Sequence, residues 1–139
     1  MEQSAIFGPV LMLVGWTMLV LLLMPYRRLR ATIAGQVTPE DFRYGESTNV
    51  PPDVIIPNRN YMNLLEAPLL FYVTCIVLFQ LQVVASLVVA LAWGYVACRV
   101  VHSLIHLTYN RVMHRLAAFA LSNTVLGVIW VFTVLEVLL

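Results

Sequence analysis

RNYMNLLEAPLLFYVTCIVLFQL, residues 59–81, is the stretch that decides how this chain is read. It is long and apolar enough to cross a bilayer, yet it opens with Arg59, Asn63 and Glu66 at i, i+4 and i+7. Helical spacing puts those three side chains on one face. The next apolar stretch, residues 85–107, carries Arg99, His102 and His106 at i, i+3 and i+7 near its end. Ionisable groups at membrane depth are costly, so they normally face a protein interior, pair with one another and mark a function. Two such faces on consecutive segments predict one buried polar site.

The rest of the chain fits that reading. Its 139 residues are 61% hydrophobic and only 11% charged, an apolar fraction that soluble domains rarely reach. There is no Lys, and the net charge of +1 gives no reason to expect nucleic acid as a partner. Glu2 stands where a signal peptide would carry basic residues, and the apolar run after it is long, so a retained span is expected. Cys75 and Cys98 lie in apolar runs without CxxC spacing and read as buried small hydrophobes.

Four transmembrane helices are predicted, at about residues 6–26, 60–81, 85–107 and 112–138, each long enough for a hydrocarbon core of about 30 Å. The fold class is therefore an all-α integral membrane four-helix bundle, one domain over residues 1–139. A bend is expected at Gly8-Pro9. The second and third helices are joined by almost nothing and should form a tight antiparallel hairpin. The long connection, about residues 27–58, holds Thr38-Pro39-Glu40-Asp41, an N-cap followed by Pro at N1 and acids in a first turn. A short helix is expected there, and Pro51, Pro52 and Pro57 should then hold the backbone extended. Arg27, Arg28, Arg30 and Arg43 lie in this connection, and Arg111 and Arg115 follow the third helix. The opposite-side segments carry no basic residue, so the positive-inside rule makes 27–58 and 107–112 cytoplasmic, in an inner or plasma membrane, with both termini on the other side.

At 1.5 Å per residue Glu66 lies about 10 Å into the membrane and Arg99 about 12 Å. Antiparallel neighbours would set Glu66 level with Arg99, Asn63 with His102, and Arg59 with His106. Glu66→Gln is then expected to destabilise the protein by leaving a buried Arg99 unpaired. Tyr95 and Tyr109 extend the third-helix face and read equally well as packing anchors and as ligand contacts. Pro68 is expected to kink the second helix beside Glu66. Ser122, Asn123 and Thr124 form a polar patch suited to packing on another helix. His102 and His106 at i, i+4, with Glu66, have the chemistry of metal ligands. There is no HExxH pattern, however, and Arg99 would repel a cation, so no metal is expected.

The pattern Arg59-x3-Asn63-x2-Glu66-x-Pro68, opening the second of four helices, resembles the central motif of the MAPEG family, the membrane-associated proteins in eicosanoid and glutathione metabolism. The resemblance runs over nearly the whole chain: its length, four spans, long first loop, tight second-to-third hairpin and Arg in the third loop. It implies a homotrimer with sites between subunits that open to the cytoplasm, and glutathione as a co-substrate held in a bent form. Residues matching Arg59, Asn63 and Glu66 hold its carboxylates and amine, with Arg99, His102, His106 and Tyr109 as further binding candidates. An Arg after the third helix stabilises the thiolate, and both Arg111 and Arg115 are candidates. The chemistry is sensible in itself, since Arg is always charged, forks onto carboxylates and lowers a nearby thiol pKa. Glutathione-using members carry Arg-x2-Tyr-x3-Tyr on the third helix, whereas this chain has Arg99-x2-His102-x3-His106. The expected function is a membrane-bound glutathione-dependent transferase or peroxidase acting on a lipophilic substrate. The alternative is a non-catalytic protein that binds a lipid or small anion in the same cleft. Expected partners are copies of itself, membrane lipid and a lipophilic small molecule.

Overall fold

Proline placement and apolar run length set the element boundaries. The computed structural model describes residues 2–139. Helix α1 spans Phe7–Ile33 after a 3-10 turn at Gln3–Ile6, α2 spans Pro52–Gln80, α3 spans Ser86–Leu107 and α4 spans Val112–Leu138. All four are long and apolar enough to cross a membrane, and no β-strand occurs among the described residues. The molecule is a four-helix integral membrane bundle. The third and fourth helices lie where the sequence puts them.

The first two helices are longer than expected. Helix α1 continues past residue 26 to Ile33, through Pro25. Its extra residues include Arg, Leu and Ala, all strong helix formers, and Arg30 in the last turn favours the negative end of the helix dipole. Gly8-Pro9 falls in the first turn of α1, directly after the 3-10 turn, where a proline lacks an N–H that had no helical partner anyway. Helix α2 begins eight residues before position 60. Pro51 is extended (φ −62°, ψ 148°) and caps it, Pro52 takes the first helical position, and Pro57 lies inside the helix. Only the first of the three prolines holds extended backbone. Pro57 is buried beside Val54, and that packing outweighs the one hydrogen bond its ring removes.

The connection between α1 and α2 is packed. A short 3-10 helix, Pro39–Phe42, forms where expected. The Thr38 backbone N–H and hydroxyl donate to the Asp41 carboxylate at 2.8 and 3.0 Å, and the Ser47 hydroxyl donates to it at 2.7 Å. Glu46 ties the loop to both helices, accepting from Arg28 at 3.3 Å and from Asn58 at 2.6 Å. Arg28 also lies over the Phe42 ring, 4.5 Å from its centroid. Ala31, Val37, Val50 and Val54 fill the space beneath.

The main core follows a seven-residue spacing, with Ile6, Leu13 and Val20 on one side and Leu64, Phe71 and Leu78 on the other, each 2% exposed or less. Such a spacing keeps one seam of each helix facing its partner. Residues 81–85 join α2 to α3 and make the short hairpin connection expected. The packing does not follow the connection: α2 packs chiefly on α1, and α3 chiefly on α4. That pairing decides the geometry of the site.

Candidate functional site

The buried residues of α2 are Val54, Pro57, Asn60, Leu64, Pro68, Phe71, Thr74, Cys75 and Leu78. Arg59, Asn63 and Glu66 stand one or two positions before members of that set, and each residue turns about 100° around the helix axis. Their shared face is therefore rotated out of the seam with α1. Arg59 and Glu66 are exposed in the single chain and Asn63 is half-buried. On α3 the trio points the other way: Arg99, His102 and His106 are 0–4% exposed.

Asn63 and His102 line one cavity, as their expected level implies, but the expected Glu66–Arg99 pair needs correction. Glu66 makes no ion pair with Arg99, and the ion pairs among the described residues are Arg27–Asp53, Arg28–Glu46 and Arg43–Glu40. Instead Arg99 Nη2 donates to the backbone carbonyl of Asn63. The register is right to within a turn, but α2 presents main chain to the arginine. The Arg99 Nε and Nη1 remain without a protein partner, and the guanidinium lies 5.6 Å from the Phe119 ring centroid. The His102 Nδ1 is 3.0 Å from the Arg115 carbonyl oxygen, so it donates there and leaves Nε2 with a free lone pair. Arg115 Nη1 donates to Asn110 Oδ1 at 2.7 Å. Asn110 is the left-handed residue (φ 48°) that turns α3 into α4, a conformation Asn tolerates better than most residues.

These contacts surround a cavity of about 240 Å³ lined by Asn63, His102, Val112, Arg115, Leu116 and Phe119. One helical turn deeper lies a larger cavity of about 480 Å³, bounded by Ala67, Leu70, Val73 and Thr74 of α2 and by Asn123, Leu126, Gly127 and Trp130 of α4. The two are successive stretches of one α2–α4 groove, polar at the α4 start and apolar beyond.

The structure thus brings Asn63, Arg99, His102 and Arg115 together. Arg111 is exposed at the cap of α4 and lines none of this groove. Tyr109 is 56% exposed and its hydroxyl meets His114 Nδ1 at 3.1 Å. His106 packs edge-on to His102, with ring centroids 6.1 Å apart. Tyr95 is a buried packing residue whose ring stacks on Phe71 at 4.5 Å. No group of three or more His, Cys, Asp or Glu able to hold a metal ion occurs among the described residues.

Sequence reading missed Asn60, Ser103 and Trp16. Asn60 Nδ2 and Trp16 Nε1 both donate to the Ser103 hydroxyl, at 2.7 and 2.8 Å, and bolt α1, α2 and α3 together behind the site. Asn60 and Ser103 sit one residue from Arg59 and His102, and the stronger charge signal at those neighbours masked them. Asn110 and Phe119 were missed because a turn residue and an aromatic in an apolar run carry no signal of their own.

The model of the MAPEG family matches residues 6–135. No curated protein and no solved structure matches the chain. With nearly the whole length matched, the chain belongs to the MAPEG family.

Proposed function

We propose that this member of the MAPEG family is a membrane-bound glutathione-dependent transferase or peroxidase acting on a lipophilic substrate. One observation carries the reading: the α2–α4 groove sets a polar cavity with Arg115 and His102 directly against an apolar one. A hydrophilic thiol and a lipophilic partner need that adjacency. In this reading the thiol proton passes to His102 Nε2 and Arg115 holds the thiolate sulfur, which bonds either to an electrophilic carbon as that carbon's bond to its leaving oxygen breaks, or to a peroxide oxygen as the O–O bond breaks; the oxygen anion released takes the proton back from His102. Arg115 takes the thiolate role because it lines the cavity and Arg111 does not. Asn63 holds the tripeptide from the chain's own side, with the buried Arg99 bonded to its backbone carbonyl behind it.

Arg59 and Glu66 enter from outside the single chain. Glu66 exposes charge on α2 about 10 Å into the membrane, where lipid does not solvate it, and Arg59 stands on the same face at the membrane edge. That exposed charge supports a homotrimer in which a second copy covers the face and the sites lie between subunits, with Arg59 and Glu66 meeting the glutathione carboxylates and amine. The Arg-bearing connections face the cytoplasm under the positive-inside rule, and the glutathione supply is there.

Calorimetry with the detergent-solubilised protein tests this. Glutathione should bind saturably. Binding should weaken by tenfold or more in Arg59→Ala and in Arg115→Ala, the loss of roughly 1.5–3 kcal/mol for a hydrogen bond to a charged group. Arg111→Ala should bind like the parent. No binding at millimolar glutathione overturns the proposal.

A second reading has its own support. No lining residue of the polar cavity carries a hydroxyl, and two imidazoles stand on α3 where the family pattern has tyrosines. A carboxylate clamp without a phenol suits a non-catalytic binder of a lipid or small anion. An ultraviolet thiolate band appearing when glutathione is added at neutral pH marks the enzyme, and binding without that band marks the binder.

A further inference from the structure

The turn between α3 and α4 hinges on one residue. Thr108 leaves the helical region (φ −110°, ψ −103°), and the Asn110 backbone N–H donates to the Ile105 carbonyl at 2.8 Å, which closes the end of α3. Asn110 itself is left-handed (φ 48°), and Arg111 is extended (φ −71°, ψ 119°) and caps α4. Arg115 follows in the first turn of α4, its backbone N–H donating to the Arg111 carbonyl at 3.1 Å. The Arg115 carbonyl accepts from His102 Nδ1 at 3.0 Å, and its guanidinium Nη1 donates to the Asn110 side-chain oxygen at 2.7 Å. Both ends of Arg115 are thus fixed, the backbone by α3 and the guanidinium by the turn.

The acceptor in the turn is uncharged. No Asp or Glu forms an ion pair with Arg115 among the described residues, and none lines its cavity. From α3 the titratable groups that feel the Arg115 charge are His102 and His106, and α2 gives the cavity wall only the neutral Asn63. None of the other Arg115 nitrogens is buried without a partner, so they reach the cavity that Arg115 lines. Left-handed backbone is taken readily by Gly, Asn and Asp. Gly has no side-chain acceptor. Asp has one, but its carboxylate would cancel the guanidinium charge inside the turn. Asn alone meets both demands. We infer that Asn110 is a positioning residue for the thiol chemistry, aiming the Arg115 guanidinium into the cavity and leaving its charge whole for the ligand. The inference rests on the thiolate role proposed for Arg115 and deepens it.

The ultraviolet band of the glutathione thiolate is followed against pH on the full-length detergent-solubilised protein, at saturating glutathione. Asn110→Gly keeps the left-handed turn and removes the acceptor. With helicity like the parent's, its band should reach half height at a pH about 0.5 or more above the parent's, roughly a threefold loss of thiolate on the rising limb. Asn110→Asp keeps an acceptor and adds a negative charge, so its midpoint should lie about one pH unit or more above the parent's. In an Arg115→Ala background Asn110→Gly should move the midpoint no further, because it acts through that guanidinium. A parent-like midpoint in Asn110→Gly overturns the inference. So does an Asn110→Gly effect that persists without Arg115, or an Asn110→Asp midpoint at or below the parent's. A parent with no thiolate band overturns the thiol reading and this inference with it, whereas a parent band with unmoved variants overturns this inference alone.

Discussion

A single hydroxyl shows how much hangs on one residue in this bundle. Ser103 is fully buried and accepts from both Asn60 and Trp16, so one oxygen satisfies donors from two other helices. Ser103→Ala strands both donors, at roughly 1–3 kcal/mol for each unsatisfied group. We expect a loss of about 2 kcal/mol or more, read as an earlier midpoint when helicity is followed through a detergent-denaturant titration. Trp16→Phe in the Ser103→Ala background should add little, because the two changes remove the same contact. A parent-like midpoint for Ser103→Ala would remove the bolt from the account. Arg115 follows the same logic: the carboxamide of Asn110 holds it, and the turn that needs Asn for its left-handed backbone also supplies that acceptor. Arg111, four residues earlier, has no such support, so spacing alone left the two open.

Among the elements, the connection between α1 and α2 has the most explicit electrostatics. Asp41 accepts from the Thr38 backbone N–H first, then from the Ser47 and Thr38 hydroxyls, and these bonds hold its carboxyl below the ordinary value of 3.8. A folded-state pKa lowered in this way contributes stability that is present above the unfolded value and lost as pH falls through the folded one. The short helix at Pro39–Phe42 should therefore keep its amide protection at neutral pH and lose it below about pH 3.8. Hydrogen exchange at Ser47, whose backbone N–H donates to the Asp41 carbonyl, reports the change. In Asp41→Asn the protection should be weaker and flat with pH, and an acid-sensitive Asn variant would point to another group. The same connection shows why α2 starts early. Pro52 and Pro57 read as helix breakers in isolation, but one sits where helices accept proline and the other is held by burial.

At the scale of the whole molecule, the face of α2 that carries Arg59 and Glu66 is exposed in the single chain. Glu66 is exposed at membrane depth and unpaired with Arg99, so Glu66→Gln should leave the stability of the chain within about 0.5 kcal/mol of the parent. The same change should lower glutathione affinity and weaken association of copies, measured by light scattering in detergent. A large loss of chain stability would restore the Glu66–Arg99 pair that the packing denies. The sequence by itself determined the four spans, the polar trios and their helical faces, and the capped turn at Thr38, because composition, run length and helical period are local properties. Family membership was legible there too, since the motif and the loop lengths are linear features. Only the tertiary structure decided that the trio on α3 is buried while its counterpart on α2 faces outward, and that Arg115 rather than Arg111 meets His102. Spacing places side chains on a face of one helix but says nothing of that helix's rotation about its own axis. The seams that α2 makes with α1, and α3 with α4, set that rotation through apolar packing spread over many turns.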